Sequence, residues 1–166
     1  MKKTAAAAAY PDAKGKRFAI VSARFYGDLA AWLEDGAQRG LRDCGVAEAD
    51  IELVPVPGCF EIPLAARKLI VAGEYDGIVA LGVVIRGDTP HFDYVAGECA
   101  RGIMNVQLTT GVPVGFGILT TENIEQAQER ADPKRLDKGH EAALAAVAVA
   151  LIEPESKREK NRVGFR

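Results

Sequence analysis

The 166-residue chain has a hydrophobic content of 48% and a formal net charge of -2 at pH 7. This length and apolar content suffice for one well-buried α/β domain but not for two. The near-neutral charge, with no dominant basic stripe, argues against nucleic acid as a partner. No uninterrupted apolar segment approaches the ~20 residues needed to cross a bilayer, so we predict a soluble domain without a membrane partner.

The cysteines and the two ends of the chain bear on location and domain limits. Cys44, Cys59 and Cys99 are odd in number and form no C-x-x-C pair, so we expect neither a disulfide framework nor a zinc site. A reducing, cytoplasmic location is the prediction. Residues 1–16 contain a short, interrupted alanine run, which predicts a flexible arm and not a signal peptide. The polar residues 154–166 are predicted to be a disordered tail.

Between these ends, residues 17–153 are predicted to form a single three-layer α/β domain. Apolar runs typical of strands alternate with segments of helical periodicity, and this alternation predicts a four-stranded parallel sheet flanked by helices. The strands are predicted at 18–22, 51–56, 77–85 and 112–119. The helices are predicted at 29–44, 62–72, 94–108, 124–131 and 139–152.

Helix 29–44 shows how the helices should face the sheet. Its apolar and small residues fall on one side, and Gly45 stands where a helix commonly ends. We therefore predict that this side packs in the core. The predicted buried set is Leu29, Trp32, Leu33, Gly36, Ala37, Gly40, Leu41 and Cys44.

The connections that follow the strands carry the candidate functional residues. In an open parallel sheet, ligands bind beyond the carboxyl ends of the strands. The connections 23–27, 57–63, 86–91 and 120–123 all fall at that edge. The sequence therefore predicts one site there.

The connection after the third strand is the most informative of these. Gly87, Asp88 and Thr89 favour a turn, and the backbone N–H groups between a strand end and a helix start are well placed to bind an anion. His91 follows and can exchange protons near neutral pH. A histidine in this position is more often a capping or packing residue. The pattern nevertheless indicates phosphate binding combined with proton transfer.

Four separated motifs strengthen that interpretation: VPGCFEIP (56–63), GDTPHFDY (87–94), GILTTEN (117–123) and KGHEAA (138–143). In order and spacing they resemble the 6,7-dimethyl-8-ribityllumazine synthase family, a transferase family of riboflavin biosynthesis. The resemblance implies a flavodoxin-like fold. It also implies condensation of 5-amino-6-(D-ribitylamino)uracil with 3,4-dihydroxy-2-butanone 4-phosphate to give the lumazine, phosphate and water. No cofactor or metal ion is expected.

The resemblance also assigns residues to the pyrimidine and its ribityl chain. Phe25 is expected to stack on the pyrimidine ring, although Tyr26 replaces an expected asparagine beside it. Cys59 is interpreted as a small filler and not as a nucleophile. The full predicted set for this substrate is Phe25, Cys59, Phe60, Glu61, Ile62, Val83, Val84, Ile85 and Phe116.

The phosphate-binding residues implied by the resemblance are Gly87, Asp88, Thr89 and Arg130. Asp88 is expected to contribute only its N–H, since its carboxylate would repel phosphate. Arg130 suits a bidentate clamp on the phosphate, and Lys138 supports it with positive charge. His91 is implied as the proton shuttle.

One departure near the predicted phosphate site concerns Lys138. Asp137 stands before it where the family usually has asparagine. We expect an ion pair between Asp137 and Lys138 that partly neutralises the positive charge of the lysine.

The family resemblance further implies a homopentamer whose sites are shared between neighbours. The neighbour is expected to supply Phe116, Arg130 and Lys138. Gly115 is expected to loosen the packing of the wall that the neighbour contributes to the site. A decamer or an icosahedral shell is left open. Inorganic phosphate is a further expected ligand.

Two alternatives remain beside this interpretation. One is a non-catalytic flavin-binding or shell-forming relative, and the other is an archaeal-type riboflavin synthase, which uses two lumazines. Retention of Thr89, His91 and Arg130 together argues against the first. The phosphate turn argues against the second.

Overall fold

The computed structural model describes residues 9–154; the outer parts of the predicted arm and tail, 1–8 and 155–166, lie outside the described residues. The described chain alternates strands and helices. The strands are β1 (Phe18–Ala23), β2 (Ile51–Val56), β3 (Gly77–Ile85) and β4 (Val114–Thr121). The helices are α1 (Gly27–Asp43), α2 (Ile62–Ala72), α3 (His91–Thr110), α4 (Ile124–Ala131) and α5 (Lys138–Ala150).

The four strands form one parallel sheet in the order β2-β1-β3-β4. The predicted α/β sheet flanked by helices is therefore confirmed. The register pairs Ala23 with Val56, and Ile85 with Thr121, so the carboxyl ends of all four strands lie at one edge. The connections that carry the candidate residues leave from this edge.

Strand β3 divides the core into two layers. Val79, Leu81 and Val83 face a cluster with α1, α4 and α5, whereas Ile78 and Ala80 face a cluster with α2 and α3. Successive side chains of a strand point to opposite faces, which explains the division. Burial of each large aliphatic side chain stabilises the fold by about 1.5–3 kcal/mol. Both faces of β3 are covered, as its uncharged sequence predicts.

Helices α1 and α5 approach each other closely because glycines line their contact. A Cβ atom at Gly139 would lie 2.2 Å from the Leu33 carbonyl oxygen, and one at Gly40 would lie 2.9 Å from the Ala143 Cβ. The predicted buried side of α1 is confirmed except at Trp32, whose side chain is exposed. Gly45 follows the helix with φ +83°, as its predicted role as a stop requires.

Five of the nine predicted elements, namely β1, α1, α3, β4 and α5, have limits that move by one to three residues in the structure. Helix α3 begins at His91 and not at residue 94, because Pro90 fits the position before the first helical turn. Strand β4 begins at Val114 and not at residue 112. The Val112 N–H donates to Thr110 Oγ1 at 3.2 Å instead of joining the sheet.

Strand β2 is an edge strand that contains a proline. The Val56 carbonyl accepts a hydrogen bond from the Arg24 N–H at 3.0 Å, so the backbone of Val56 faces β1. Backbone groups of successive residues point to opposite sides of a strand, and Pro55 therefore faces outward. Its missing N–H costs the sheet no internal hydrogen bond.

The described end of the predicted arm contacts the domain. Ala13 is buried, and its N–H donates to the Cys44 carbonyl at 2.7 Å. The limits 1–16 and 154–166 stay predictions. Within residues 9–154, no helix combines the length and the apolar character needed to cross a membrane.

Candidate active site

The carboxyl ends of β1, β2 and β3 surround a cavity of about 600 Å³, here called the aromatic cavity. It brings together residues from three separate connections, which the parallel sheet places side by side. Its walls are mainly apolar and aromatic. The predicted site residues in its lining are Phe25, Cys59, Phe60, Glu61, Val83, Val84, Ile85, Gly87, Thr89 and His91.

Exposed aromatic rings stand at the mouth of the aromatic cavity. The Phe25 side chain is 74% exposed, and its ring meets the Tyr26 ring edge-on with centroids 5.0 Å apart. Phe60 is also exposed. An exposed aromatic face over an apolar cavity can stack on a flat heteroaromatic ligand.

The turn after β2 forms another wall of the aromatic cavity. It continues into a short 3₁₀ turn, Cys59–Glu61, which leads directly into α2. A Cβ atom at Gly58 would lie 3.2 Å from Glu61 Oε2, so the carboxylate folds back over the turn. There it can accept hydrogen bonds from ligand hydroxyls.

Burial raises the pKa of Cys59 to about 11, and the nearby Glu61 adds to the rise. The thiol is therefore protonated at neutral pH, and a protonated thiol is a poor nucleophile. This supports the interpretation of Cys59 as a filler. All three cysteines are free and buried.

The turn after β3 carries the predicted anion site and the histidine. Thr89 Oγ1 accepts a hydrogen bond from the His91 N–H at 3.4 Å, which closes the turn at the start of α3. Nothing lies within 4 Å of the position that a Cβ atom would take at Gly87. The backbone is thus open to close approach by a ligand, with the His91 side chain exposed at its edge.

Arg86 holds this turn in place, and the sequence did not single it out. Its Nε donates to Glu122 at 2.9 Å and its Nη1 donates to Asp93 at 3.3 Å. The guanidinium also lies over the Phe92 ring, 4.2 Å from its centroid. The side chain therefore links the end of β4 to the first turn of α3.

A second cavity of about 410 Å³, here called the arginine cavity, lies against β4, α4 and α5. Phe116, Arg130, Lys138 and Glu141 line it. Arg130 Nη1 donates to the Gln126 carbonyl at 3.1 Å, and Lys138 Nζ lies 2.6 Å from Glu141 Oε2. No residue lines both cavities, so the predicted site residues of one chain fall into two groups.

The comparison with known proteins decides the family. A family model described as 6,7-dimethyl-8-ribityllumazine synthase matches residues 15–153. The chain belongs to the 6,7-dimethyl-8-ribityllumazine synthase family. A protein named 6,7-dimethyl-8-ribityllumazine synthase from Nitratidesulfovibrio vulgaris (strain DSM 19637 / Miyazaki F) is 52% identical over 141 residues. The match covers 85% of this chain and 90% of that relative. The resemblance read from the four motifs is confirmed.

Two residues assigned from the lumazine synthase motifs do not line either cavity. Ile62 is fully buried in the core between α2 and α3, and Asp88 has an exposed side chain beside the turn. Their assignment as ligand contacts stays a prediction. Conversely, Tyr94 and Val95 line the aromatic cavity although the sequence did not single them out. Their spacing from His91, three and four residues along α3, is the signal that could have found them.

The charges around Lys138 differ from the sequence-based expectation. Asp137 bonds to Arg39, and Lys138 pairs instead with Glu141. The expected Asp137–Lys138 pair is therefore wrong. The spacing of Glu141, three residues after Lys138 on a helix, is typical of such a pair.

The expectation at Gly115 is also wrong, since α5 takes the space that a side chain would fill. A Cβ atom at Gly115 would lie 2.1 Å from the Ala142 carbonyl oxygen. The glycine therefore permits close packing of α5 on β4. His140 of α5 lies with Nε2 2.8 Å from Asp43 Oδ2. Among residues 9–154, no group of three or more His, Cys, Asp or Glu side chains is placed to hold a metal ion.

Proposed function

We propose that this chain condenses 5-amino-6-(D-ribitylamino)uracil with 3,4-dihydroxy-2-butanone 4-phosphate to 6,7-dimethyl-8-ribityllumazine in riboflavin biosynthesis. The observation that carries the proposal is the aromatic cavity, where a histidine and an open glycine turn face an exposed aromatic ring. Family membership supports the same reaction. The non-catalytic and riboflavin synthase alternatives are not favoured.

The pyrimidine substrate is proposed to occupy the aromatic cavity. Phe25 stacks on its ring, and the backbone of Val83–Ile85 at the end of β3 meets its polar edge. Glu61 accepts hydrogen bonds from the ribityl hydroxyls. The support is the placement of all these groups in one lining, with the ring of Phe25 exposed and the carboxylate of Glu61 folded back over the turn at Gly58.

The phosphorylated ketone is proposed to bind with its phosphate on the Gly87–Thr89 turn. The pyrimidine amine attacks the ketone, and water leaves as the imine forms. Phosphate is then eliminated, and ring closure with loss of a second water gives the lumazine. His91 accepts and returns the protons of these steps. Because an amine and a ketone react with each other directly, orientation and anion binding suffice without a protein nucleophile.

The complete site is proposed to form between neighbouring subunits of a homopentamer. The separation of the aromatic and arginine cavities within one chain supports this arrangement. Phe116, Arg130 and Lys138 of one subunit would then close the aromatic cavity of the next. Arg130 clamps the phosphate and Lys138 supports it. The proposed unit of assembly is the pentamer, and the proposed location of the enzyme is the cytoplasm.

The test is an assay with both substrates, in which the absorbance of the lumazine and the release of inorganic phosphate are followed together. The proposal predicts stoichiometric formation of the two products. Reactions that lack either substrate serve as controls and should yield no lumazine. A protein that binds flavin or lumazine but shows no turnover above the uncatalysed rate would contradict the proposal. Formation of riboflavin from lumazine alone would indicate the riboflavin synthase alternative.

A further inference from the structure

The residue at the start of α5 has an unusual conformation. Asp137 has φ 47° and ψ 51°, and it is the only residue other than glycine with positive φ in the described part of the chain. An aspartate before a helix commonly caps it by accepting a backbone N–H. Asp137 makes no such bond, so its carboxylate is directed elsewhere.

The carboxylate of Asp137 is held by Arg39 of α1. Arg39 Nη2 donates to both carboxylate oxygens, at 3.0 and 2.9 Å, and Arg39 Nε donates to Asp35 at 2.8 Å. The space for this contact comes from Gly36, where a Cβ atom would lie 2.4 Å from Asp137 Oδ1. The Asp137 side chain is only 19% exposed. A carboxylate at this depth depends on its ion-pair partner.

Lys138 follows Asp137 directly and lines the arginine cavity. The two Cα atoms are about 3.8 Å apart, so a change of net charge at Asp137 alters the electrostatic potential at Lys138. The cavity already contains Glu141, which pairs with Lys138. Without Arg39, the Asp137 carboxylate would lack its ion-pair partner, and its negative charge would lower the positive potential around Lys138 and oppose a bound phosphate.

We propose that Arg39 is a positioning residue for the phosphate half of the site. It neutralises Asp137 and fixes the start of α5, so that Lys138 presents its charge to the arginine cavity. This inference rests on the proposed function, in which Arg130 and Lys138 bind phosphate. The hydrogen bond to Asp35, with the further bonds and charge of Asp137, raises the pKa of Arg39, so the guanidinium stays charged.

The experiment compares R39A, D137N and the double variant R39A/D137N with the unchanged protein. Inorganic phosphate is the probe, and its dissociation constant is measured by calorimetry at low ionic strength. Steady-state KM values for both substrates are the second readout. Asparagine tolerates the left-handed conformation, so D137N removes the charge and keeps the backbone. R42A is the matched control, because Arg42 lies on the same helix and pairs only with the exposed Glu48 among the described residues.

R39A is expected to weaken phosphate binding about twofold to fivefold, and to raise the KM of the phosphorylated ketone alone. The double variant should regain the original phosphate affinity, because it lacks the Asp137 carboxylate that R39A leaves without its ion-pair partner. The loss in R39A should shrink at high salt. R42A should leave phosphate affinity and both KM values unchanged.

Unchanged phosphate affinity in R39A would overturn the inference. So would a double variant as weak as R39A, since that result would mean that Arg39 acts only through the packing of α1 and α5. If R39A does not fold, D137N beside R39K supplies the test, and R39K should keep most of the affinity. Phosphate binding that also survives R130A would overturn the proposed phosphate site itself. Loss in R130A without loss in R39A would overturn only the role of Arg39.

Discussion

His91 begins α3 at the edge of an open turn, where its imidazole can reach a ligand in the aromatic cavity. General acid–base catalysis contributes about 10²–10⁴-fold, so H91Q should lower kcat by that factor while the fold is retained. Single-turnover measurements of lumazine formation check this. H140Q is the matched control, because His140 pairs with Asp43 and lines neither cavity. A normal single-turnover rate in H91Q would remove His91 from the mechanism.

Arg130 is proposed to clamp the phosphate from the arginine cavity. Hydrogen bonds to charged groups are worth roughly 1.5–3 kcal/mol, so R130A should lower kcat/KM about 10- to 150-fold. Calorimetry with inorganic phosphate should show weaker binding in parallel. R101A is the control, since Arg101 pairs with Glu98 on α3 and lines neither cavity. Preserved phosphate affinity in R130A would show that the clamp is assigned to the wrong residue.

Single residues differ in how far their surroundings could be predicted from the sequence. The Lys138–Glu141 pair follows from helical spacing, although the sequence pointed first to the adjacent Asp137. The Arg39–Asp137 contact joins positions 98 residues apart and depends on how α1 meets α5. Arg86 and Glu122 come together only because β3 and β4 are neighbours. Contacts of this kind require the tertiary arrangement and leave no local signal.

At the scale of helices and strands, the elements themselves were predictable from the sequence, but the distances between packed elements were not. Apolar runs placed β2 and β3, and helical periodicity placed α2 and α4, at their observed limits. Gly36 and Gly139 looked like ordinary helix positions, and Gly115 was expected to loosen the packing around it. They set how closely α5 approaches α1 and β4.

This close approach predicts the effect of adding one methyl group to α5. G139A would place Cβ 2.2 Å from the Leu33 carbonyl oxygen, and backbone atoms cannot move aside easily. Overpacking typically costs about 1–3 kcal/mol, which urea unfolding at fixed protein concentration would measure. G97A is the control: Gly97 is exposed in α3 with no atom within 4 Å of its Cβ position. It should stabilise by about 0.5–1 kcal/mol. Equal stability of the two variants would contradict this account of the packing.

At the scale of the whole molecule, the separate cavities predict complementation between defective chains. Co-expression of H91Q with R130A would give mixed rings in which some interfaces combine an intact His91 with an intact Arg130. Those interfaces should regain activity that neither variant has alone, because each site draws on two chains. The assay is lumazine formation by the purified mixture beside each single variant. Mixed rings no more active than their parents would show that both residues act within one chain.

Pro55 in β2 has a consequence for how copies of this chain meet. Its backbone faces outward from the sheet and offers no donor there. An added strand could not form an unbroken ladder along this edge, and exposed edges of that kind are where sheets of separate molecules join into aggregates. The proline thus disfavours growth by sheet extension. Copies of this chain are therefore not expected to join through the β2 edge, and their association falls to other surfaces of the domain, where contacts can be self-limiting.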